Sequence, residues 1–314
     1  MSSSARLPVR QQTQEIIRSR ERQASLMKEL VSPKQVARAI GASESSVKRW
    51  CDQGVISTVR TAGGHRRIPV NAVLSFAKSH GHKLVQPEVL GLPPSTTGAG
   101  ERSLERARKR LLAALVSGED VLSRQLVLDL YIAKHRVSRI CDEVLAPVFH
   151  EIGDLWECGD AEVYQERRAC EICLRVLHEL ERLMPPVPAD GPVAIGGALD
   201  LDPYSLPTTM AELTMRQCGW KGVSLGSLLP AASIANAIAD IGPRLVWISV
   251  SHADDADRIV EAMNQVYEAA RKHKAALAVG GAALTEEIRR RVRYSAFCDT
   301  MAHLETFADS LTSN

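Results

Sequence analysis

The C-terminal part of the chain alternates between short apolar runs and helical stretches, and this alternation restricts the fold more than any other feature. From residue 193 onward the apolar runs are VAIGGAL, GVSLG, LVWISVS, AALAVGG and SAFCD. Strand–helix alternation of this kind predicts a flavodoxin-like, doubly wound parallel sheet. Ligands of such sheets bind outside the carboxyl ends of the strands. The loops expected to form a binding site are 199–207, 226–231, 249–254 and 280–284.

The preceding segment, 101–184, carries apolar residues at helical spacing and few glycines or prolines. Apolar positions that recur every three or four residues indicate amphipathic helices, and four such helices with short connections predict a four-helix bundle. Together with the sheet, this predicts a multidomain α and α/β protein. The apolar positions of the four helices are Leu104, Ala107, Leu111, Leu112 and Leu115; Leu126, Leu130, Ala133 and Val137; Val144, Val148 and Ile152; and Cys170, Cys173, Leu174 and Leu177.

Composition marks the predicted domain boundaries. Residues 1–28 are polar and charged and predict an N-terminal arm. Residues 85–100, VQPEVLGLPPSTTGAG, have the composition of a linker. The stretch MPPVPADGP ends the helical pattern at residue 184. The predicted domains are a small module at 29–84, the bundle at 101–184 and the sheet domain at 190–314.

Two short helices and a hairpin are predicted in the small module. Ser32 and Pro33 form a cap and first-turn pair that starts one helix, and Gly41 ends it. Ser43 caps a second helix. Two helices joined by a turn predict a helix-turn-helix, whose second helix usually enters the major groove of DNA. The stretch VISTVRTAGGHRRIP predicts a β-wing, because its adjacent glycines supply the positive φ that a tight turn needs.

Charge is divided unevenly along the chain. Residues 1–83 contain 15 Lys or Arg against 5 Asp or Glu, and the other 231 residues contain 24 against 32. A basic module joined to an acidic body indicates that the module binds a polyanion. Double-stranded promoter or operator DNA is the predicted partner, held mainly through phosphate contacts. The predicted DNA-binding residues are Ser45, Ser46, Lys48, Arg49, Arg60, His65, Arg66 and Arg67.

The composition argues against several other classes of protein. No apolar run approaches ~20 residues, so no membrane span is expected, and the N-terminus lacks the apolar segment of a secretory signal. Seven irregularly spaced cysteines do not form a disulfide framework, so a reduced, cytoplasmic location is expected. Cys170 and Cys173 are expected in the core rather than at a metal site. No Ser-His-Asp or paired-carboxylate arrangement stands out, and the chain is expected not to be an enzyme.

Residues 29–80 resemble the DNA-binding domain of MerR-type regulators. The resemblance is carried by SPKQVARAIGASESSVKRWCDQGVI and the GGHRRI wing that follows it. It implies binding to paired half-sites as a dimer.

The order of module, linker, bundle and sheet is similar to that of the cobalamin-binding, light-responsive repressors of MerR type. In LWECGDAEVYQER, Trp156 and Glu166 match the bundle signature of that family, a Trp, nine residues and then Glu-His. The stretches GWKGVSLGSLLP, VWISVS and AVGGAAL resemble the family's binding loops, whose small residues allow a macrocycle or nucleotide close to the backbone. The resemblance implies a photoreceptor-type repressor whose bundle and sheet hold adenosylcobalamin and control a dimer or tetramer.

Both histidines that hold cobalt in that family are replaced in this chain. Tyr204 stands at the position of the axial histidine, Pro207 stands at that of a glycine, and Arg167 follows Glu166 in the bundle. A neutral phenol is a poor metal ligand, and a guanidinium offers no lone pair. Histidine ligation of cobalt is therefore not expected.

The sequence leaves three states of the ligand pocket open. It holds a corrinoid through the tail and a Trp156/Glu166 cap, or it holds another tetrapyrrole or planar chromophore, with tyrosinate as a ligand for haem iron. In the third state it holds no ligand and serves oligomerisation or a protein partner. A corrinoid-dependent methyl carrier or enzyme is the rival function. Tyr204 and His252 are the residues considered for a metal. The predicted ligand-pocket residues are Trp156, Glu166, Arg167, Asp202, Tyr204, Ser249, Ser251, His252, Gly280 and Gly281.

Overall fold

The computed structural model describes residues 30–61, 63–93, 101–159, 161–200 and 202–312. They belong to two compact units, Ser25–Pro186 and Val187–Asn314, and each unit is considered by itself. The predicted N-terminal arm, 1–28, lies outside the described residues. Within the described ranges, no helix is both long enough and apolar enough to cross a bilayer.

The first unit begins with a winged helix-turn-helix, as the sequence predicts. Its strands pair antiparallel in the order β1-β3-β2, and its core is formed by Val36, Val47, Ile56, Ile68 and Phe76. The elements are β1 (Leu30–Val31), α1 (Pro33–Ile40), α2 (Glu44–Asp52), β2 (Val59–Arg60), β3 (Arg66–Pro69) and α3 (Val70–Ser79).

Side chains and a glycine at the helix ends explain where the first two helices start and stop. Ser32 Oγ accepts from the Gln35 N–H at 3.3 Å, and Gln35 Oε1 accepts from the Ser32 N–H at 2.9 Å, which makes a capping box. Gly41 ends α1 with a φ of 67°, a left-handed conformation that glycine adopts without strain. Ser43 Oγ caps α2 by accepting from the Ser46 N–H at 3.0 Å.

The predicted linker, 85–100, differs from the structure in its first part. The Val85 N–H donates to a carbonyl of α1 at 2.7 Å, and Pro87–Leu90 forms a short 3-10 helix that packs on α1. Leu90 is fully buried there. Proline and glycine give this stretch a linker composition, but Leu90 supplies apolar surface that packs on α1. Residues 94–100 lie outside the described residues.

Four helical segments follow in the same unit, and they confirm the predicted bundle. The third of them contains a π-helical turn, Cys141–Leu145, between two α-helical parts. The bundle core contains Leu111, Leu130, Val148 and Leu177. The helices are α4 (Glu101–Ser117), α5 (Asp120–Ile132), α6 (Val137–Ile140), α7 (Ala146–Glu157) and α8 (Val163–Leu183).

The second bundle helix is shorter than the sequence predicts. The apolar spacing assigns Ala133 and Val137 to it, but α5 ends at Ile132 and Lys134 has a φ of 71°. A non-glycine residue with positive φ cannot continue a helix. Val137 instead begins α6 and is buried. The four-residue step from Ala133 to Val137 fits helical spacing, although the two residues lie on either side of a helix end.

The second unit is the predicted doubly wound sheet. Five parallel strands lie in the order β5-β4-β6-β7-β8. The elements are β4 (Val193–Ala198), α9 (Leu206–Gln217), β5 (Lys221–Ser224), α10 (Ala231–Ile241), β6 (Leu245–Ser249), α11 (Ala256–Lys272), β7 (Ala276–Gly280), α12 (Glu286–Arg291), β8 (Ala296–Phe297) and α13 (Met301–Thr312).

The strand order places the switch point at β4. The chain moves from β4 outward to β5 and then returns to β6 on the other side of β4. The loops after these strands therefore diverge and leave a crevice at their carboxyl ends. This crevice lies between the loops that follow β4 and β6, where the sequence places Asp202, Tyr204, Ser251 and His252.

The sheet is covered on both faces. Successive residues of β6 point to opposite faces, so Val246 and Ile248 pack with α10 and α11, whereas Trp247 packs on the other side. The second layer also contains Met215 of α9 and Leu304 of α13. Aliphatic side chains fill the first layer, and two tryptophans, Trp220 and Trp247, fill the second.

Candidate functional site

Helix α2 presents an exposed polar face in the winged module. Ser45, Lys48 and Arg49 are exposed and Ser46 is half-buried. The Ser43 hydroxyl lies 2.8 Å from that of Ser45 and orders the first turn. Lys48 Nζ pairs with Glu44 at 2.8 Å, and both side chains are more than 40% exposed. Such exposed pairs contribute little, so a phosphate can replace Glu44 as the partner of Lys48.

The wing is the hairpin formed by β2 and β3. Arg60 lies opposite Arg66 in the antiparallel register, and the Thr61 N–H donates to the His65 carbonyl at 3.0 Å. Gly64 has a φ of 76°, as a tight turn requires. Arg60 and His65 are exposed, and Arg66 and the following arginine are half-buried.

An ion pair joins the wing to the recognition helix α2. Arg66 Nη2 lies 2.5 Å from Oδ1 of Asp52, the last residue of α2. Sequence analysis assigned Arg66 to DNA and did not single out Asp52. The two residues are 14 positions apart and belong to different elements, so no spacing rule links them.

The predicted bundle residues lie where α7 ends and α8 begins. Trp156 is 48% exposed. The Glu166 side chain is largely buried, and Arg167 Nε lies 4.0 Å from its Oε2. Val163 and Tyr164, which the sequence analysis did not select, are also exposed apolar side chains on α8. These residues belong to the first unit, and the remaining seven predicted pocket residues belong to the second.

Two side chains next to Glu166 fasten the start of α8 to the end of α4. Arg168 Nη2 donates to the Val116 carbonyl at 2.7 Å, and Gln165 Nε2 donates to the same oxygen at 3.2 Å. A Cβ at Gly118 would lie 2.5 Å from the Arg168 guanidinium carbon. Gly118 therefore leaves room for the arginine, and the pair fixes the helix that carries Glu166 and Arg167.

Asp202 ties the two loops of the switch point together. Its Oδ1 accepts from the Tyr204 N–H at 2.9 Å, and its Oδ2 accepts from the Ser251 N–H at 2.5 Å. Asp202 is 1% exposed, and this burial raises the pKa of its carboxyl above the ordinary value although the backbone N–H groups act in the opposite direction. Both carboxylate oxygens therefore stabilise the two loops by accepting their backbone N–H groups.

Tyr204 and Pro207 belong to the turn that starts α9. Tyr204 is half-buried. Pro207 occupies the first turn of α9, where a missing N–H is tolerated because the first helical N–H groups have no partner within the helix. Pro207 is therefore compatible with the start of this helix.

Gly280 and Gly281 are required by neighbouring backbone. A Cβ at Gly280 would lie 2.2 Å from the Cys298 carbonyl oxygen, and one at Gly281 would lie 2.2 Å from the Val250 carbonyl oxygen. Gly281 also has a φ of 117°. These backbone contacts alone account for both glycines, and their role in leaving room for a macrocycle or a nucleotide stays a prediction.

The remaining polar residues of the crevice are Ser249, Ser251 and His252. The two serine hydroxyls lie 3.5 Å apart, and Ser249 is buried. His252 Nε2 lies 2.9 Å from Oδ2 of the exposed Asp254. In the described part of the chain, His, Cys, Asp and Glu side chains do not come together in a group of three suited to a metal ion.

The two cysteines of the CxxC pair lie in or near the bundle core. Cys173 is buried and Cys170 is half-buried. Burial raises the pKa of Cys170 to about 11 and also raises the pKa of Cys173. Raised thiol pKa values disfavour the thiolate that a metal needs as ligand, in agreement with the expected role in packing.

A buried hydrogen-bonded chain beneath the crevice was not predicted. Trp247 Nε1 donates to Thr208 Oγ1 at 2.9 Å, and the Thr208 and Ser224 hydroxyls lie 3.1 Å apart. Ser224 Oγ accepts from the Gly226 N–H at 3.2 Å. Trp247 stands on β6 directly opposite Gly196 on β4. This series of hydrogen bonds connects β6, α9 and β5 under the loops where a ligand was expected.

The winged helix-turn-helix and the parallel sheet with its helical bundle define the class of this protein: a DNA-binding module attached to a body with the architecture of corrinoid proteins. Family models agree with both parts. A helix-turn-helix domain matches residues 30–81, and a B12 binding domain matches residues 107–181, in the bundle.

Two curated relatives from Myxococcus xanthus share this arrangement. The HTH-type transcriptional repressor CarA is 24% identical over 273 residues, which cover 81% of this chain and 87% of CarA. The HTH-type transcriptional repressor CarH is 25% identical over 257 residues, which cover 74% of this chain and 83% of CarH. This chain is therefore a DNA-binding transcriptional regulator that joins a helix-turn-helix to a B12-binding-type domain and resembles CarA and CarH.

A solved structure supports the fold of the body. The Methanosarcina barkeri monomethylamine corrinoid protein superposes with a TM-score of 0.55 at 14% identity, covering 67% of this chain and 99% of that chain. At this identity the similarity establishes the fold of bundle and sheet alone.

The residues present do not fit a cobalt-ligated corrinoid. The phenol of Tyr204 and, in the other unit, the guanidinium of Arg167 offer no imidazole to cobalt, and both oxygens of Asp202 already accept backbone N–H groups. The other imidazole of the crevice, His252, is directed to Asp254.

Proposed function

We propose that this chain is a transcriptional repressor that grips duplex DNA with its winged module and whose body sets the number of modules that bind together. The observation that carries the proposal is the ion pair between Arg66 and Asp52, which fixes a cationic wing beside an exposed recognition helix. Repression is supported by the names of CarA and CarH.

Helix α2 would enter the major groove by its N-terminal half. Ser45 and Ser46 lie in its first turn, where helix N–H groups favour anions, and Lys48 and Arg49 extend the same exposed face. Arg60 and His65 on the wing would reach the adjacent phosphates. Each phosphate neutralised releases counterions, so binding would weaken steeply with salt.

The body would act through assembly. One small module makes few contacts with DNA, whereas linked modules bind paired half-sites with an avidity gain of about 10²–10⁴. We therefore propose a homodimer or homotetramer as the DNA-binding form, with a protein partner as an alternative means of changing the assembly.

The proposal assigns the body a regulatory rather than a catalytic role. Support comes from the two relatives named as repressors and from the loss of both imidazoles that would hold cobalt. A methyl carrier would need a reactive cobalt centre, and the donor set around Tyr204 does not provide one.

The test is the selection of bound duplexes from a random library by the full chain, followed by anisotropy titrations of the selected site. We expect Lys48→Glu combined with Arg49→Glu to weaken binding at least ~100-fold and to reduce the salt slope by about two phosphates. The matched control is Lys272→Glu, an exposed lysine of the sheet unit. No sequence enrichment, or equal weakening by the control, would refute the proposal.

A further inference from the structure

We infer that the Val187–Asn314 unit is sealed against cobalamin, so that this regulator does not use cobalamin as its input. The proposal covers both ways in which the sheet would hold that ligand: through a donor to cobalt, and through a space that receives the nucleotide tail. It goes beyond DNA binding and does not depend on it.

The layer between the sheet and helices α9 and α13 is filled by Trp247. The indole is 3% exposed. A Cβ built on Gly196 would lie 2.2 Å from the Cδ2 atom of that indole, so the ring packs flat against the backbone of β4. Its N–H is held by Thr208, which is fully buried. A side chain with both its ring and its polar atom fixed in this way cannot swing aside without leaving a buried N–H unpaired.

The loop after β5 packs against the end of β4, at one side of the crevice. A Cβ at Gly197 would lie 2.6 Å from Leu229 Cδ1 and 2.7 Å from the Gly226 carbonyl oxygen. The Leu229 N–H donates to the Ala198 carbonyl at 3.1 Å and the Ala198 N–H donates to the Gly226 carbonyl at 3.0 Å. The space beside Gly197, near the end of β4, is therefore occupied by the loop after β5.

The loop after β7 packs against the end of β6 in the same manner, at the other side of the crevice. The Val250 N–H donates to the Gly280 carbonyl at 2.8 Å, and the Ala283 N–H donates to the Val250 carbonyl at 3.1 Å. These bonds hold the loop after β7 against the end of β6. The backbone groups at the carboxyl ends of β6 and β7 are therefore hydrogen-bonded to each other, and Gly280 and Gly281 lie in contact with neighbouring backbone.

The side chains that could bind cobalt lead to the same conclusion. Tyr204 replaces the imidazole, and the Asp202 carboxylate, which would otherwise be available to orient an imidazole, is taken up by two backbone N–H groups. Tyr204, which stands in place of the cobalt-binding imidazole, lies just before α9, and Thr208 of that helix holds the indole of Trp247. A site that had lost only the imidazole would still have room for an unligated tail.

The test is equilibrium dialysis of the purified full chain against hydroxocobalamin and adenosylcobalamin, in the dark and after illumination, with absorbance as the readout. At ~100 µM cobalamin we expect less than about one-tenth of an equivalent bound, which corresponds to a Kd above about 1 mM. The mass in solution, measured by light scattering, is expected to be the same with and without cobalamin. Stoichiometric binding, or a change of mass with cobalamin, would overturn the inference.

The variant Tyr204→His separates the two barriers. Because Trp247 remains in place, we expect the histidine alone to restore no binding. If Tyr204→His binds cobalamin tightly, the space is available and the role assigned to Trp247 is wrong. Circular dichroism shows whether the variant is folded, and DNA titrations on the same samples report the proposed function separately.

Discussion

Arg66 and Asp52 form a 2.5 Å ion pair that connects the wing to the last turn of the recognition helix. The Arg66 side chain is 27% exposed and that of Asp52 is 53% exposed, so the pair contributes little to the free energy of unfolding, at most about 1 kcal/mol. We expect its effect to be on position, because it joins the two elements that would contact DNA.

The variant Asp52→Asn tests this role because electrostatics and positioning predict opposite signs. Removing a negative charge near DNA would by itself strengthen binding slightly. If Asp52 positions the wing, affinity falls instead, and we expect a loss of about 5- to 10-fold, which corresponds to about 1 kcal/mol. Anisotropy titrations at constant salt measure the difference.

The control for this variant is Glu44→Gln, which also removes one negative charge from α2. It releases Lys48 from its pair, so affinity is expected to be unchanged or higher. A rise in affinity for both variants would show that only net charge matters at this surface.

Gly281→Ala tests whether the glycine serves the fold. The new Cβ would lie 2.2 Å from the Val250 carbonyl oxygen, and the φ of 117° is unfavourable for alanine. We expect a loss of about 3 kcal/mol or more in the free energy of unfolding. Urea unfolding followed by tryptophan fluorescence measures it, since Trp220 and Trp247 lie in the same unit.

Gly242→Ala is the matched control in that unit. Gly242 has a φ of 64°, and nothing lies within 4 Å of a Cβ built there, so only the conformational cost of about 1 kcal/mol is expected. Equal losses for the two variants would mean that the contact with Val250 carries no weight.

The sequence was sufficient for the elements whose signals are local. Ser32 with Gln35, Ser43 and Gly41 determine helix ends through contacts within four residues, and the apolar periods of bundle and sheet follow from which faces are buried. The winged module, bundle and sheet were predictable for this reason.

The contacts that decide the character of the site were not predictable, because they join residues that are distant in sequence. Trp247 meets Thr208 at a separation of 39 residues, and Asp202 meets Ser251 at 49. A tryptophan within VWISVS is indistinguishable from ordinary core in the sequence. The contacts of Gly280 and Gly281 were not predictable either, because a missing side chain gives no indication of which backbone lies beside it.

Asp202 gives the sheet unit a pH dependence of defined sign. Burial raises the pKa of this carboxyl in the folded state above its ordinary value of 3.8. Between 3.8 and the raised pKa the folded state binds more protons than the unfolded state, so the contribution of Asp202 to stability decreases as pH rises through this window. In Asp202→Asn this term is absent.

We therefore expect the melting temperature of the wild type, relative to that of Asp202→Asn, to increase as pH falls from 7 to 4. The comparison between the two proteins cancels the titration of other carboxyl groups. A relative melting temperature that stays constant or decreases toward pH 4 would contradict the burial of an ionised carboxyl at this position.

The Trp247–Thr208 hydrogen bond is suited to a double-mutant cycle, because each partner has an apolar replacement that removes only its side of the hydrogen bond or little more. Thr208→Val removes the hydroxyl and leaves the buried indole N–H without its acceptor, at an expected cost of about 1–3 kcal/mol. Trp247→Phe removes the N–H and part of the ring, and its cost adds a cavity.

In the double variant no N–H remains to be satisfied, so the combined loss should be smaller than the sum of the two single losses. We expect a coupling energy of about 1 kcal/mol, measured by urea unfolding of the four proteins. Additive losses would show that the indole is held by packing alone. In that case the hydrogen bond would not fix the ring beneath the crevice, and only the volume of Trp247 would exclude a ligand there.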